Sequence, residues 1–250
     1  MKILRADKNG QAFYAALLGE KLKRINGLPY DNVVYTGEEY RLSDVKLLSP
    51  CEPSKIIAVG LNYARHAREL KEQLTGTPVL FLKPPTSLLA HGQDIVYPHV
   101  SSRVDYEAEL AVVIKKSCKQ VSVHDALDYV FGYTALNDVT ARDLQKADGQ
   151  WTRAKSFDTF CPVGPYIDTG YDPSSKRVMS VLNGVVKQDA RTDDMLFGVA
   201  ELISFISECM TLLPGDIIAT GTPEGIGPMQ KGDVIEIKIE GLMTLQNNVI

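Results

Sequence analysis

The chain has 250 residues, 44% of them hydrophobic and 23% charged, with a formal net charge of −4. That is enough for one large globular domain or a large and a small one. The acidic balance and the lack of a basic stripe exclude nucleic acid as the expected partner, because phosphate binding needs clustered Lys and Arg. The first residues have no apolar core of signal-peptide length, and no later segment reaches the roughly 18 apolar residues of a membrane span. The expectation is therefore a soluble, cytoplasmic protein.

Cys51, Cys118, Cys161 and Cys209 lack a Cys-x-x-Cys pair. Packed, reduced thiols are expected, rather than a zinc knuckle or a disulfide framework.

Residues 1–50 read as a small α/β unit: a strand at residues 2–5, an amphipathic helix through Phe13, Ala16, Leu17 and Leu22, then Val33, Val34 and Tyr35 and a turn at Gly37. Ser49-Pro50-Cys51-Glu52-Pro53 has the composition of a connector, so the boundary is placed there, with residues 51–250 as the second unit.

Residues 55–60 form a compact buried strand, and Asn62 is placed to cap a helix beginning near Tyr63. His66 and Glu69 then share one helical face. Such a pair is either a surface contact or a dyad in which the carboxylate orients the imidazole as a general base. Residues 78–85 read as a strand halted by prolines.

Residues 104–114 open with Glu107 and Glu109 and continue as an apolar β-branched run, which predicts one strand with both faces buried. Residues two apart share a face, so the two carboxylates point side by side and Ala111 and Val113 continue inward. Two like charges entering a core cost several kcal/mol unless a cation sits between them, and a hard divalent cation fits oxygen donors. An exposed, solvated strand end is the alternative.

Residues 131–138 are a further strand ending in Asp138, a functional carboxylate or a cap for the helix that follows. Lys155 follows the sole tryptophan, Trp151, in a small apolar setting; its stem packs on the core or its ammonium faces the carboxylates. Asn183-Gly184 marks a hairpin. Residues 192–194 are expected to cap a helix whose core face is Met195, Val199, Leu202, Ile203 and Ile206, and the end of the chain reads as β. The glycine-rich stretch 220–228 lacks the Gly-Lys-Ser/Thr of a phosphate loop; it is a plain connection or a place where backbone amides approach a ligand carboxylate.

Four blocks, Tyr106-Glu107-Ala108-Glu109-Leu110, the run 137–145 from Asn137 to Gln145, Ala154-Lys155-Ser156-Phe157 and Thr220-Gly221-Thr222-Pro223-Glu224-Gly225, together resemble the fumarylacetoacetate hydrolase family. The runs 62–69 and 78–84 look most like its short acylpyruvate hydrolase and oxaloacetate decarboxylase branch. The resemblance implies an α+β fold, a mixed β-sheet roll with the small N-terminal domain, in a homodimer. It implies Glu107, Glu109 and Asp138 as ligands of Mg²⁺ or Mn²⁺, and His66 with Glu69 as the base on a helix that orders over substrate. It further implies Lys155 as the nearby catalytic cation and Gln145 and Thr222 as substrate contacts. The larger members carry an aspartate ligand before the histidine and a tyrosine after the glutamine. Residues 60–65 and 146–149 contain neither, so three carboxylates are expected and fumarylacetoacetate itself is disfavoured as substrate.

The activity so implied is metal-dependent carbon–carbon cleavage, hydrolytic or decarboxylating, of small 2-oxo or 2,4-dioxo acids such as acylpyruvates or oxaloacetate. The alternative is isomerisation or decarboxylation of 2-hydroxyhepta-2,4-diene-1,7-dioate in aromatic catabolism. A catalytically silent metal- or carboxylate-binding relative is the non-enzyme reading, and it has no chemical need for His66, Glu69 and Lys155.

Overall fold

The computed structural model describes residues 1–71, 73–74 and 76–250. Its framework, among the described residues, is a sheet of twelve strands, most of them antiparallel. Along the main path they run Tyr35–Arg41, Lys21–Ile25, Gln11–Leu18, Lys2–Lys8, Cys161–Asp168, Val130–Asn137, Ala108–Ile114, Ile217–Ala219, Ile56–Gly60 and Val79–Lys83. Ile217–Ala219 pairs with Ile56–Gly60 in parallel, so the sheet is mixed. A five-stranded sheet (Val185–Arg191, Arg177–Leu182, Val234–Ile239, Leu245–Val249, Asp94–Ile95) and a three-stranded one (Thr140–Ala141, Val104–Tyr106, Gly227–Met229) complete the α+β architecture. Four α-helices are described: α1 Ala64–Leu70, α2 Arg142–Asp148, α3 Thr152–Lys155 and α4 Val199–Cys209. No helix among the described residues is long and apolar enough to cross a membrane.

Strand Ala108–Ile114 is buried at every position. It pairs with Val130–Asn137 on one side and Ile217–Ala219 on the other. Ala111 and Val113 enter one core layer, whereas Leu110, Val112 and Ile114 enter another, shared with Leu202, Ile203 and Ile206 of α4. A strand covered on both faces needs the continuous apolar run that this segment has.

Several expectations are corrected. The helix expected through Phe13 to Leu22 is two strands, Gln11–Leu18 and Lys21–Ile25, turned at Gly19 with φ +62°. All seven residues of Lys2–Lys8 pair with Gln11–Leu18, and this ladder overrides the helical propensity of an Ala/Leu-rich stretch. The first 50 residues thus hold strands and a single 3₁₀ turn, Leu42–Asp44, with no α-helix. Strand Tyr35–Arg41 begins where the run at Val33 was to end, and Gly37 lies within it.

The single strand expected over 104–114 is broken at Glu107, where the chain leaves the three-stranded sheet and enters the large one. Met195 lies outside α4, which starts at Val199; Gly198 is its cap, and the Gly198 N–H donates to Glu201 Oε2 at 2.7 Å. The hairpin turn has Asn183 and Gly184 at φ +50° and +79°, the pairing a two-residue turn requires. All four cysteines are free; Cys51, Cys118 and Cys161 are buried, and Cys209 is exposed rather than packed.

Candidate active site

The break at Glu107 gathers the site. Asp138 N–H donates to the Glu107 carbonyl at 2.9 Å, and Glu107 N–H donates to Asn137 Oδ1 at 2.9 Å. The end of Val130–Asn137 is thereby pinned beside the carboxylates. On the other flank Thr220 N–H donates to the Leu110 carbonyl at 3.1 Å, which brings the glycine-rich loop alongside. Gly221, at φ +100°, then turns its N–H onto Glu109 Oε2 at 2.8 Å. A Cβ there would lie 2.7 Å from Asn62 Cβ, so only glycine permits this approach.

Glu107, Glu109 and Asp138 are buried, with one oxygen of each lying within 4.8 Å of the others. Lys155 Nζ donates to Glu107 Oε2 at 2.8 Å and Asp138 Oδ2 at 2.6 Å, and Lys83 Nζ donates to Asp138 Oδ1 at 2.5 Å. Arg142 donates to Glu107 Oε1, to Asp105 Oδ2 at 2.9 Å and to Gln145 Oε1 at 2.6 Å. Four buried carboxylates, Asp105, Glu107, Glu109 and Asp138, therefore face three buried cations, Lys83, Arg142 and Lys155. The half-exposed Arg103 pairs with Asp105 alone. Glu109 has no ion pair among the described residues and accepts only the Gly221 amide.

The electrostatics follow from this inequality. Burial raises the Glu107 carboxyl, but the Lys155 ammonium and Arg142 guanidinium outweigh it and hold it well below the carboxylate range. Burial and the charges of Asp138 and Glu107 push Glu109 well above it. Burial depresses Lys155 and Arg142, and their carboxylate partners more than restore them. Three hard oxygen donors converging where one negative charge lacks a partner fit a divalent cation.

His66 is buried on α1, with Nδ1 3.1 Å from Glu69 Oε2. An ionised carboxylate only accepts, so the proton is assigned to Nδ1 and Nε2 is left for chemistry. Glu69 accepts the Gly225 N–H at 3.1 Å, and Arg65 pairs with Glu224 at 3.2 Å, so α1 leans on the glycine-rich loop. Of the two readings of the glycine-rich loop, a plain connection or amides approaching a ligand carboxylate, neither describes Gly221 and Gly225, whose amides meet the protein's own Glu109 and Glu69.

Asn62 does not cap α1; Tyr63 holds that position. Asn62 Nδ2 donates to the Thr220 and Phe197 carbonyls at 2.7 and 3.1 Å, and Oδ1 accepts the Phe197 N–H at 2.9 Å. Asp138 does not cap α2, because its carboxylate is taken by Lys83 and Lys155.

All eight residues singled out line or adjoin one small pocket: His66, Glu107, Glu109, Asp138, Gln145, Lys155 and Thr222 line it, and Glu69 supports His66. Gln145 has its oxygen committed to Arg142, which leaves its amide N–H groups for a ligand. The Thr222 hydroxyl donates to the Ala108 carbonyl at 3.0 Å and accepts from Gln188 at 2.8 Å, so its one proton is spent inside the protein. Sequence reasoning missed Lys83, Asp105 and Arg142. Lys83 had a readable signal, a cation ending the apolar run 79–83 before two prolines; Arg142 stood unremarked within a recognised block.

The fold and this pocket together define a buried acidic site of the kind that holds a divalent cation. Residues 55–250 match the family described as Fumarylacetoacetate (FAA) hydrolase C-terminal, and residues 1–50 match one described as Rv2993c-like, N-terminal. The chain belongs to the fumarylacetoacetate hydrolase family. It is 45% identical over 226 residues to oxaloacetate tautomerase YisK of Bacillus subtilis, covering 84% of this chain and 75% of that protein. A structure described as 2-hydroxyhepta-2,4-diene-1,7-dioate isomerase from Mycobacterium marinum superposes with a TM-score of 0.93 at 44% identity, over 100% and 98% of the two chains. Maleylpyruvate hydrolase from Sphingobium sp. SYK-6, in complex with manganese(II) ion and pyruvate, gives 0.83 at 32% identity, over 100% and 99%.

Proposed function

We propose that this protein carries out divalent-metal-dependent carbon–carbon cleavage of a small 2-oxo or 2,4-dioxo acid, by hydrolysis of an acylpyruvate or decarboxylation of oxaloacetate. The observation that carries this reading is the convergence of three buried carboxylate oxygens within 4.8 Å beside the His66 and Glu69 pair. Glu107, Glu109 and Asp138 would hold Mg²⁺ or Mn²⁺, and the manganese complex of the Sphingobium relative supports that ion class. When bound, such an ion supplies a Lewis acid that polarises a carbonyl and stabilises negative charge on its oxygen.

The chain's own residues do the rest. Glu69 holds His66 so that Nε2 takes a proton from water, and the resulting hydroxide adds to the distal carbonyl carbon. The adjacent carbon–carbon bond then breaks with its electron pair leaving as the enolate of the 2-oxo acid, and the enolate carbon takes the proton from His66. Two of the three Lys155 donors hold Glu107 and Asp138 in place, and the third is left to meet charge developing on the substrate. The Gln145 amide orients the acid. Decarboxylation needs no attacking water, so it does not call on His66 as the base. The protein acts as a homodimer on this reading, which sedimentation would test.

A second reading, proton transfer between carbon and oxygen or between carbons without cleavage, is favoured by the names of the B. subtilis and M. marinum relatives. Product identification with Mg²⁺ or Mn²⁺ present separates the two, because only cleavage releases a second fragment. His66→Ala should slow acylpyruvate hydrolysis by about 10²- to 10⁴-fold while sparing oxaloacetate decarboxylation. Undiminished hydrolysis in a folded variant rules out the proposed base.

A further inference from the structure

Besides the carboxylates and their cations, Leu61, Leu70, Phe81 and Trp151 line the cavity as an uncharged wall, with Lys155 Nζ 5.0 Å from the Phe81 ring centroid. Trp151 is held in that wall by two contacts. Its indole meets Phe81 edge to face, with ring centroids 5.2 Å apart and planes at 74°. It also lies against Gly60, where a Cβ would fall 2.5 and 2.8 Å from Cζ3 and Cη2 of the indole. Real Cβ atoms do not approach that closely, so the indole occupies its place because residue 60 has no side chain. Lys155 N–H donates to the Trp151 carbonyl at 3.0 Å in the single turn of α3, which ties the wall to the cation of the site.

We propose that Trp151, seated by Gly60, is the specificity-determining residue that limits the length of the substrate's uncharged tail. This rests on the reading of the pocket as a site for small 2-oxo acids. The carboxylate and 2-oxo oxygens of such an acid belong with the charged groups, so its remaining carbons run toward the wall. The indole is a large rigid plane packed against Phe81 and Gly60, which block its retreat from an added methylene on that side. The side chains of the wall itself carry no charge. A short alkyl or acyl tail fits it.

The test is a binding ladder in Mn²⁺-supplemented protein: 2-oxobutanoate, 2-oxopentanoate, 2-oxohexanoate and 2-oxooctanoate, measured by calorimetry. Trp151 is the only tryptophan, so its emission reports the same binding in the wild type. Wild-type affinity is expected to fall at the longer acids. Trp151→Ala should favour the longest over the shortest by about tenfold or more relative to wild type, one or two methylenes in an apolar pocket being worth that much. Gly60→Ala, which pushes the indole inward, should shift the ratio the opposite way, and Trp151→Phe should fall between. Because each value is a ratio within one protein, partial misfolding does not mimic it.

An unchanged ratio in Trp151→Ala overturns the proposal, as does a wild type that binds none of the acids. A ladder that shifts as described in a protein that turns over no 2-oxo acid upholds the wall and removes the proposed reaction.

Discussion

Glu109→Gln removes the one carboxylate of the site that lacks a cation, and its effect on stability should reverse with metal. The carboxylate oxygens of Glu107, Glu109 and Asp138 lie within 4.8 Å of one another. At an effective dielectric of about 20, each like-charged pair at that separation repels by about 3 kcal/mol. Glu109 meets two such neighbours and is partly offset by Lys155, which leaves roughly one pair, or about 3 kcal/mol, when all are ionised.

The sign follows from the raised pKa. From the ordinary value of 4.5 up to the raised folded value, the metal-free folded protein holds a proton on Glu109 that the unfolded chain has lost. Its stability therefore falls as pH rises through that window, by up to about 1.4 kcal/mol per pH unit. Glu107, depressed in the folded state, acts below the window, where its contribution is lost on acidification. Glu109→Gln has no proton to lose. In chelator it should melt above wild type at the alkaline end by about 1–3 kcal/mol, or several degrees for a chain of this size. With Mn²⁺ the order should invert, because the ion stabilises wild type and finds one ligand fewer in the variant. Thermal unfolding across pH with and without chelator measures both. A variant less stable than wild type in chelator at every pH, or equally stabilised by Mn²⁺, would refute this electrostatic account.

Lys155→Met leaves Glu107 and Asp138 short of a buried partner and should cost about 3–5 kcal/mol in chelator by denaturant titration, whereas a wild-type midpoint would show that Lys83 and Arg142 suffice. Asn62→Ala removes three hydrogen bonds that tie the start of α1 to Phe197 and Thr220. About 3 kcal/mol of stability should go with them, together with faster amide exchange over Ala64–Leu70; unchanged exchange there would show that α1 is held by other contacts.

The parts of the site that were legible in the sequence are those set by local geometry. Alternation along a strand predicts Glu107 and Glu109 on one face, and both reach the site although the strand breaks at Glu107; a three-residue step on a helix places His66 by Glu69. Lys155 and Asp138 came from recognised blocks, and the burial of the carboxylates made a facing cation a sound expectation. What stayed hidden depends on partners far along the chain. Asn62 reads as a helix cap, but its partners lie 135 and 158 residues away. Arg142 and Lys83 meet their carboxylates across 35 and 55 residues. The segment around Phe13 and Ala16 has the composition of a helix, and only the strands on either side of it, Lys2–Lys8 and Lys21–Ile25, decide otherwise. The break at Glu107 is likewise invisible in a continuous β-branched run, because it marks a change of sheet rather than a change of residue type.

The central claim, that Glu107, Glu109 and Asp138 hold a cation on which the chemistry depends, is tested most directly by metal add-back. Protein stripped with chelator should be inactive toward oxaloacetate and acylpyruvates, and turnover should return in proportion to added Mn²⁺ or Mg²⁺ until each chain holds a single ion, with no return in the Glu107→Gln, Glu109→Gln double variant. Full turnover in the stripped wild type, or metal-dependent turnover in that variant, would contradict it.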